Sequence, residues 1–211
     1  APHCGLDLKG ARVAIQGFGS VGTHAARFLA REDAVLVAAS DSRGTVHNPD
    51  GLDAEALIAF KAAGQSVAES GMGESGDPER IISVDCDIWI PAARPDVIHA
   101  GNADAITAKL ILQGANIPAT PEAEEMLHRR GVLIVPDFIA NAGGVICAAV
   151  EYRGGTEAVA FQVIEGKITA NTRTVLQRAG AEKIMPRQAA EAMARERVEA
   201  AMGFRRWSAR A

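Results

Sequence analysis

From residue 11 onward, short apolar runs alternate with longer stretches of helical period. Residues 11–16 (ARVAIQ) form a continuous run of buried-strand length, and 21–31 (VGTHAARFLAR) predict a helix with Val21, Ala25, Phe28 and Leu29 on its inner face. A second strand is expected over 35–39, a polar, turn-rich segment over 40–51 and a helix over 53–63. Residues 64–77, rich in Gly, Ser and Glu, read as a long loop. Further short strands are expected at 80–83, 87–91, 110–113 and 132–135. Thr120-Pro121-Glu122 is a helix start, with a hydroxyl cap, a proline at the first position and an acid in the first turn. That helix runs to Arg130 and stops at Gly131. Beyond Val145 no strand is expected, and 156–179 and 186–202 read as two long amphipathic helices. Strand–helix alternation of this kind predicts an α/β fold, a doubly wound, mostly parallel sheet with helices on both faces and a helical C-terminal extension. The expected organisation is a sheet domain over 1–155 and an extension over 156–211 packed on the same domain, with no internal repeat and no interdomain linker.

Composition narrows the partners more than the fold. The chain has 211 residues, net charge −4 and 48% apolar positions, an ordinary globular balance that excludes disordered, collagen-like and disulfide-scaffold chains. At this size folding buries roughly 70% of the accessible surface, so a sizeable core is expected. Alanine supplies 41 residues against six Phe, two Trp and one Tyr, which suits helices packed closely on a sheet. Mild acidity argues against a nucleic-acid partner, which needs a basic patch. The one local positive excess, Arg205, Arg206 and Arg210, reads as a solvated tail. Three cysteines (Cys4, Cys86, Cys147) at unpaired spacings form neither a zinc motif nor a disulfide framework and fit a reducing compartment. No apolar stretch approaches the ~20 residues of a membrane span, and no signal peptide is visible, so a cytoplasmic chain without a membrane or metal partner is expected.

The clearest chemistry is Gly17-Phe18-Gly19-Ser20-Val21-Gly22, a G-x-G-x-x-G directly after a strand and opening a helix. Gly17 permits the tight turn, Gly19 lets a pyrophosphate approach the backbone, and Gly22 allows helix to pack on strand. Phosphates then meet the free N–H groups at the positive end of the helix. The expected fold is therefore Rossmann-like. The second strand ends at Asp41, 19 residues after Gly22, the spacing at which an acid accepts from the adenosine ribose of NAD. Ser42 and Arg43 follow at once, and an arginine there suits the 2′-phosphate of NADP instead. NAD is modestly favoured over NADP.

Three later clusters end strands at the same sheet edge: Ile90-Pro91-Ala92-Ala93, Gln113-Gly114-Ala115-Asn116-Ile117-Pro118 and 137–145, which contains Asn141-Ala142-Gly143-Gly144. Taken singly each asparagine is also an ordinary turn residue. Together with residues 9–22, Ser40-Asp41-Ser42-Arg43-Gly44 and Val135-Pro136-Asp137, these stretches resemble the coenzyme-binding domain of the glutamate/leucine/phenylalanine/valine dehydrogenase family. The resemblance runs from about Leu8 to Val150 and more loosely through the C-terminal helices. It implies a dinucleotide-binding domain for oxidative deamination of an amino acid such as glutamate to its 2-oxo acid and ammonia, with a homo-oligomeric parent enzyme. It also implies that Asn116 bonds near the nicotinamide ribose, that Asn141 lies near the carboxamide and substrate, and that Ala92 and Ala93 line the ribose wall.

The chain departs from that family in two respects. The family's substrate domain, with its glycine-flanked lysines and proton-transferring aspartate, has no counterpart here. Lys9, Lys61, Lys109, Lys167 and Lys183 match no catalytic motif, and His3, His24, His47, His99 and His128 form no relay. No catalytic residue is therefore expected in this chain, which alone is expected to be inactive and to need the substrate domain of its parent as partner. The alternative is a stand-alone, non-catalytic NAD(P)-binding regulatory module. The second departure is Ala148, where glutamate-specific members carry a serine, which leans toward an apolar substrate. Cys147 beside it reads as a small core residue and not a nucleophile.

Overall fold

At the centre of the sheet lies β1 (Arg12–Gln16), whose Val13, Ala14 and Ile15 are buried on both faces, as a parallel strand under helices requires. The computed structural model describes residues 2–205. It divides into two compact units, Ala1–Asn141 and Ala142–Ala211, whereas the sequence reading divides the chain at 155/156. In the first unit β1 is flanked in parallel by β2 (Val35–Ser40) and β5 (Ile88–Pro91), and β6 (Leu110–Leu112) and β7 (Leu133–Val135) continue the parallel array. Beyond β2 the sheet turns antiparallel through β3 (Thr45–His47) and β4 (Glu74–Gly76), giving the order β4-β3-β2-β1-β5-β6-β7. The connection reverses between β1 and β5, and that switch point at the carboxyl edge is where open α/β sheets bind ligands.

The strands at 11–16, 35–39, 87–91, 110–113 and 132–135 fall within a residue of expectation. Two short strands do not. β3 lies in the segment read as turn, where a hairpin from β2 closes with the Asp41 amide donating to the Gly44 carbonyl at 2.9 Å, and β4 lies in the segment read as loop. Residues 80–83, expected as a strand, belong instead to a 3₁₀ helix over Pro78–Ser83. Asp77 caps it by accepting from the Arg80 amide and Pro78 opens it, the same grammar that starts α3 (Pro121–Arg129), where Thr120 accepts from Ala123. Local capping outweighed the apolar pair Ile81-Ile82. Ile81 is nonetheless core, and its carbonyl accepts from the indole N–H of the fully buried Trp89 at 3.0 Å.

Helix α1 (Ser20–Arg31) follows β1, but its inward stripe is not the expected one. Gly22 and Ala26 are buried, while Val21 and Phe28 are each 48% exposed. A Cβ on Gly22 would lie 2.2 Å from the Gly17 carbonyl oxygen and 3.1 Å from Ile15 Cγ2, so only glycine fits without a shift where this helix crosses the strand. α2 (Ala54–Ala62) is capped by Asp53 and buries Leu57. A one-turn helix α4 (Asp137–Ala140) follows β7.

The second unit is helical. It comprises α5 (Gly143–Tyr152), α6 (Glu157–Glu182), capped by Thr156, and α7 (Pro186–Arg205). Arg178 on α6 bridges Glu182 and, across the helix pair, Glu196 on α7 at 2.8 Å. The basic tail read from Arg205, Arg206 and Arg210 falls outside the residues whose side chains are described. Among the described residues no helix is long and apolar enough to cross a membrane.

Candidate functional site

The glycine loop sits at the switch point because three sequence features converge there. Gly17 has φ 92°, a conformation that favours glycine, and a Cβ on it would lie 2.7 Å from Ala93 Cβ. The amides of Gly17 and Phe18 both donate to the Ser40 carbonyl, at 3.0 and 2.7 Å, which fastens the loop to the end of β2. Phe18 is fully buried and anchors the turn from below. Gly19, by contrast, faces open space: a Cβ there meets nothing within 4 Å. It is also the N-cap of α1, without a side-chain cap and without an acid in the first turn, so the partial positive charge of the helix end is not neutralised locally.

A cavity of about 680 Å³ opens at this point, lined among others by Gly17, Phe18, Gly19, Asp41, Ala92 and Ala93. Ser42 lines it too. Ser20, Val21 and Gly22 continue the loop into α1 outside the lining, and Arg43 is also outside it. The Arg43 guanidinium turns instead to the Gly64 carbonyl at 3.2 Å and to Glu69 at 3.6 Å. Gln16, at the end of β1, also lines the cavity, and its Oε1 is buried without a hydrogen-bond partner.

Asp41 is the most heavily bonded group of the site. Its side chain is 6% exposed. Oδ2 accepts from Lys61 Nζ at 2.6 Å and the Val67 amide at 3.1 Å, while Oδ1 accepts from Ser66 Oγ at 2.8 Å and the Arg43 amide at 2.9 Å. Four donors fill the acceptor positions a carboxylate offers. Burial by itself would raise the carboxyl, but the Lys61 hydrogen bond and the three other donors outweigh it and hold the group well below the usual carboxylate range. Asp41 thus lines the cavity and also joins β2 to the segment 61–67, and Lys61 lines the cavity beside it, as does Arg94. Neither Lys61 nor Ser66 is singled out by the sequence. They lie 20 and 25 residues from Asp41, on elements whose approach only the folded sheet brings about.

Asn116, in the loop after β6, and Asn141, at the C-terminal end of α4, lie outside the cavity lining and are brought together: Asn141 Nδ2 donates to Asn116 Oδ1 at 2.8 Å. That bond leaves the Asn116 amide as donor and the Asn141 carbonyl as acceptor for other partners. The loop carrying Asn116 is tied to the glycine loop, since Gly114 packs so tightly that a Cβ would lie 3.1 Å from Val21 Cγ1 and 3.4 Å from Ala92 Cβ. Ala148 lies on α5 in the second unit, exposed, and Cys147 beside it is partly exposed rather than core.

The arrangement, a glycine turn with an open N-cap glycine at a parallel-sheet switch point, has the chemistry of an anion-binding cradle for a dinucleotide. The family model for Glutamate/Leucine/Phenylalanine/Valine dehydrogenase matches residues 1–206. The chain is 49% identical over 149 residues to the glutamate dehydrogenase of Thermotoga maritima, covering 70% of this chain and 36% of that protein. It is 42% identical over 210 residues to that of Aeropyrum pernix, covering 95% and 50%. A crystal structure of hetero-hexameric glutamate dehydrogenase from Thermus thermophilus superposes with a TM-score of 0.85 at 29% identity, over 97% of this chain and 50% of that one. L-tryptophan dehydrogenase from Nostoc punctiforme gives 0.72 at 28%, over 92% and 53%. The chain thus spans about half, or less, of the length of the relatives it matches. Matched over nearly its whole length, it belongs to the glutamate/leucine/phenylalanine/valine dehydrogenase family.

Proposed function

We propose that this chain forms the dinucleotide-binding half of an NAD(P)-dependent amino-acid dehydrogenase that oxidatively deaminates an amino acid to its 2-oxo acid and ammonia. The observation that carries the reading is the pairing of an open Gly19 N-cap with an adjoining cavity that closes on Asp41 and on Ala92 and Ala93. The first-turn amides from Gly19 to Gly22 hold the pyrophosphate, Ala92 and Ala93 form the wall of a ribose, and Asn116 and Asn141 orient the nicotinamide end. The dinucleotide, when bound, supplies the hydride acceptor; the protein's part is to fix its position and exclude water. The substrate-binding part of the parent enzyme completes the site, in an oligomer, as the hetero-hexameric relative suggests. Three free cysteines support a reducing, cytoplasmic setting.

Both NAD and NADP are accepted, in this reading, with a small preference for NAD. A free carboxylate at Asp41 would repel a 2′-phosphate, but Lys61 neutralises it and retains two further N–H donors toward the cavity. One relative, from Halobacterium salinarum, 39% identical over 171 residues, is itself named as NADP-specific. Ala148 supports an amino acid with an apolar side chain, whereas the curated relatives named above are glutamate dehydrogenases. Calorimetric titration of the chain with NAD(H) and NADP(H) is the direct test. Absence of binding by any of them would falsify the reading.

A further inference from the structure

Ile117, next to Asn116, has φ 47°, in the left-handed region that a β-branched residue enters only under constraint. Its side chain is 58% exposed, so packing does not force it there. Its backbone does. The Ile117 amide donates to Asp137 Oδ2 at 2.9 Å, and its carbonyl accepts at 3.0 Å from the amide of Asp96, itself at φ 52° and part of the cavity wall. Asp137 is buried, and its amide donates to Gln113 Oε1 at 3.0 Å, while Gln113 Nε2 donates to Glu124 at 2.7 Å. The Asp137 carbonyl in turn accepts the Asn141 amide at 2.7 Å. One buried residue therefore holds Ile117 through its carboxylate and Asn141 through its carbonyl, and Asn116 and Asn141 meet at 2.8 Å as a result.

We propose that Asp137 is a positioning residue: its carboxylate locks the left-handed turn at Ile117 and thereby sets Asn116 against Asn141 to receive the nicotinamide end of the dinucleotide. The proposal rests on the dinucleotide reading above and adds a separable consequence. Because the lock lies beside the Asn pair and not the glycine loop, breaking it affects the nicotinamide half of the ligand and spares the adenosine and pyrophosphate half.

The test uses the whole 211-residue chain and two probes, NADH and ADP-ribose, which lacks only the nicotinamide. Asp137→Ala removes the acceptor; Ile117→Pro, at an exposed position, removes the donor and forbids the positive φ. In both variants ADP-ribose affinity stays within twofold of the parent, while the roughly tenfold or larger advantage of NADH disappears together with the fluorescence enhancement of its bound nicotinamide. Asp137→Asn, which keeps an acceptor oxygen, retains most of both. If Asp137→Ala does not fold, Ile117→Pro carries the test. Parallel loss of both ligands, unchanged binding of both, or equal affinities in the parent chain each overturn the positioning role. A parent chain that binds neither probe overturns the dinucleotide reading instead.

Discussion

The ammonium of Lys61 lies 2.6 Å from the carboxylate of Asp41, and the two side chains meet on the wall of the cavity that the glycine loop opens. Cofactor choice then depends on the pair and not on Asp41 alone. Lys61→Ala leaves a buried carboxylate facing any 2′-phosphate. The expected result is a fall of tenfold or more in NADP affinity, about 1.4 kcal/mol, with NAD changed less than threefold. Dissociation constants for both cofactors check this, and an equal loss for the two would show that Lys61 only supports the fold.

The same pair makes stability depend on acid pH. The folded Asp41 carboxyl lies below its unfolded value of about 3.9, so the unfolded state takes up protons first as pH falls. The stabilisation is present in full above the ordinary carboxylate range and is lost as pH drops beneath about 4 toward the folded value. Chemical denaturation of the parent chain and of Asp41→Asn at pH 7 and at pH 3 is the measurement. The parent is expected to be the more stable at pH 7 by a margin that narrows at pH 3; a constant margin would remove the carboxylate charge from the explanation.

Two glycines of one motif differ in the space around them, and the proposed binding role falls on only one of them. At Gly19 an added Cβ meets nothing within 4 Å, so Gly19→Val is expected to keep the melting temperature nearly unchanged while dinucleotide affinity falls at least tenfold. At Gly22 even one methyl collides with the Gly17 carbonyl, so Gly22→Ala is expected to cost about 1–3 kcal/mol and to lower the melting temperature by roughly 2–12 °C. Thermal melts and titrations of both variants decide the division. Undiminished affinity in a folded Gly19→Val chain would remove the loop from the site.

Elements whose signal is local were legible in the sequence, and those made by long-range pairing were not. β1, the glycine turn and the cap at Thr120 each rest on a few neighbouring residues. β3 and β4 are three residues long, set among glycines and polar residues, and exist because β3 pairs with β2 and β4 with β3. The spacing to Asp41 was readable, but its partners were not, since Ser66 and Val67 reach it from a segment whose composition resembles a loop. Arg43 shows the same division. Its proximity in sequence to Asp41 offered it as the alternative, a 2′-phosphate ligand, while its contacts to Gly64 and Glu69 come from across the fold and were not readable. The Asn116–Asn141 pair needed both strand ends to be placed before either side chain had a partner.

Turnover is the last matter these residues bear on. Hydride transfer from an amino acid requires its Cα–H about 3–3.5 Å from the nicotinamide ring, with a base for the amine proton. In the first unit the described lysines are committed elsewhere: Lys9 pairs with Asp33, Lys109 with Asp87 and Lys61 with Asp41. Asn116 and Asn141, which in the proposed reading orient a nicotinamide, cannot take a proton at neutral or alkaline pH. A chain that holds one of two reactants forgoes an effective-molarity advantage that reaches roughly 7–11 kcal/mol of barrier. The 211 residues alone are therefore expected to bind NAD(H) and to show no detectable oxidation of glutamate, leucine, valine or phenylalanine. The measurement is the absorbance of reduced nicotinamide at alkaline pH with the purified chain, repeated after adding the substrate-binding half of a relative. Turnover restored by that addition supports the dehydrogenase reading over a purely regulatory module. Steady turnover by the chain alone, abolished by Asn141→Ala, would mean that a complete active site lies within these residues.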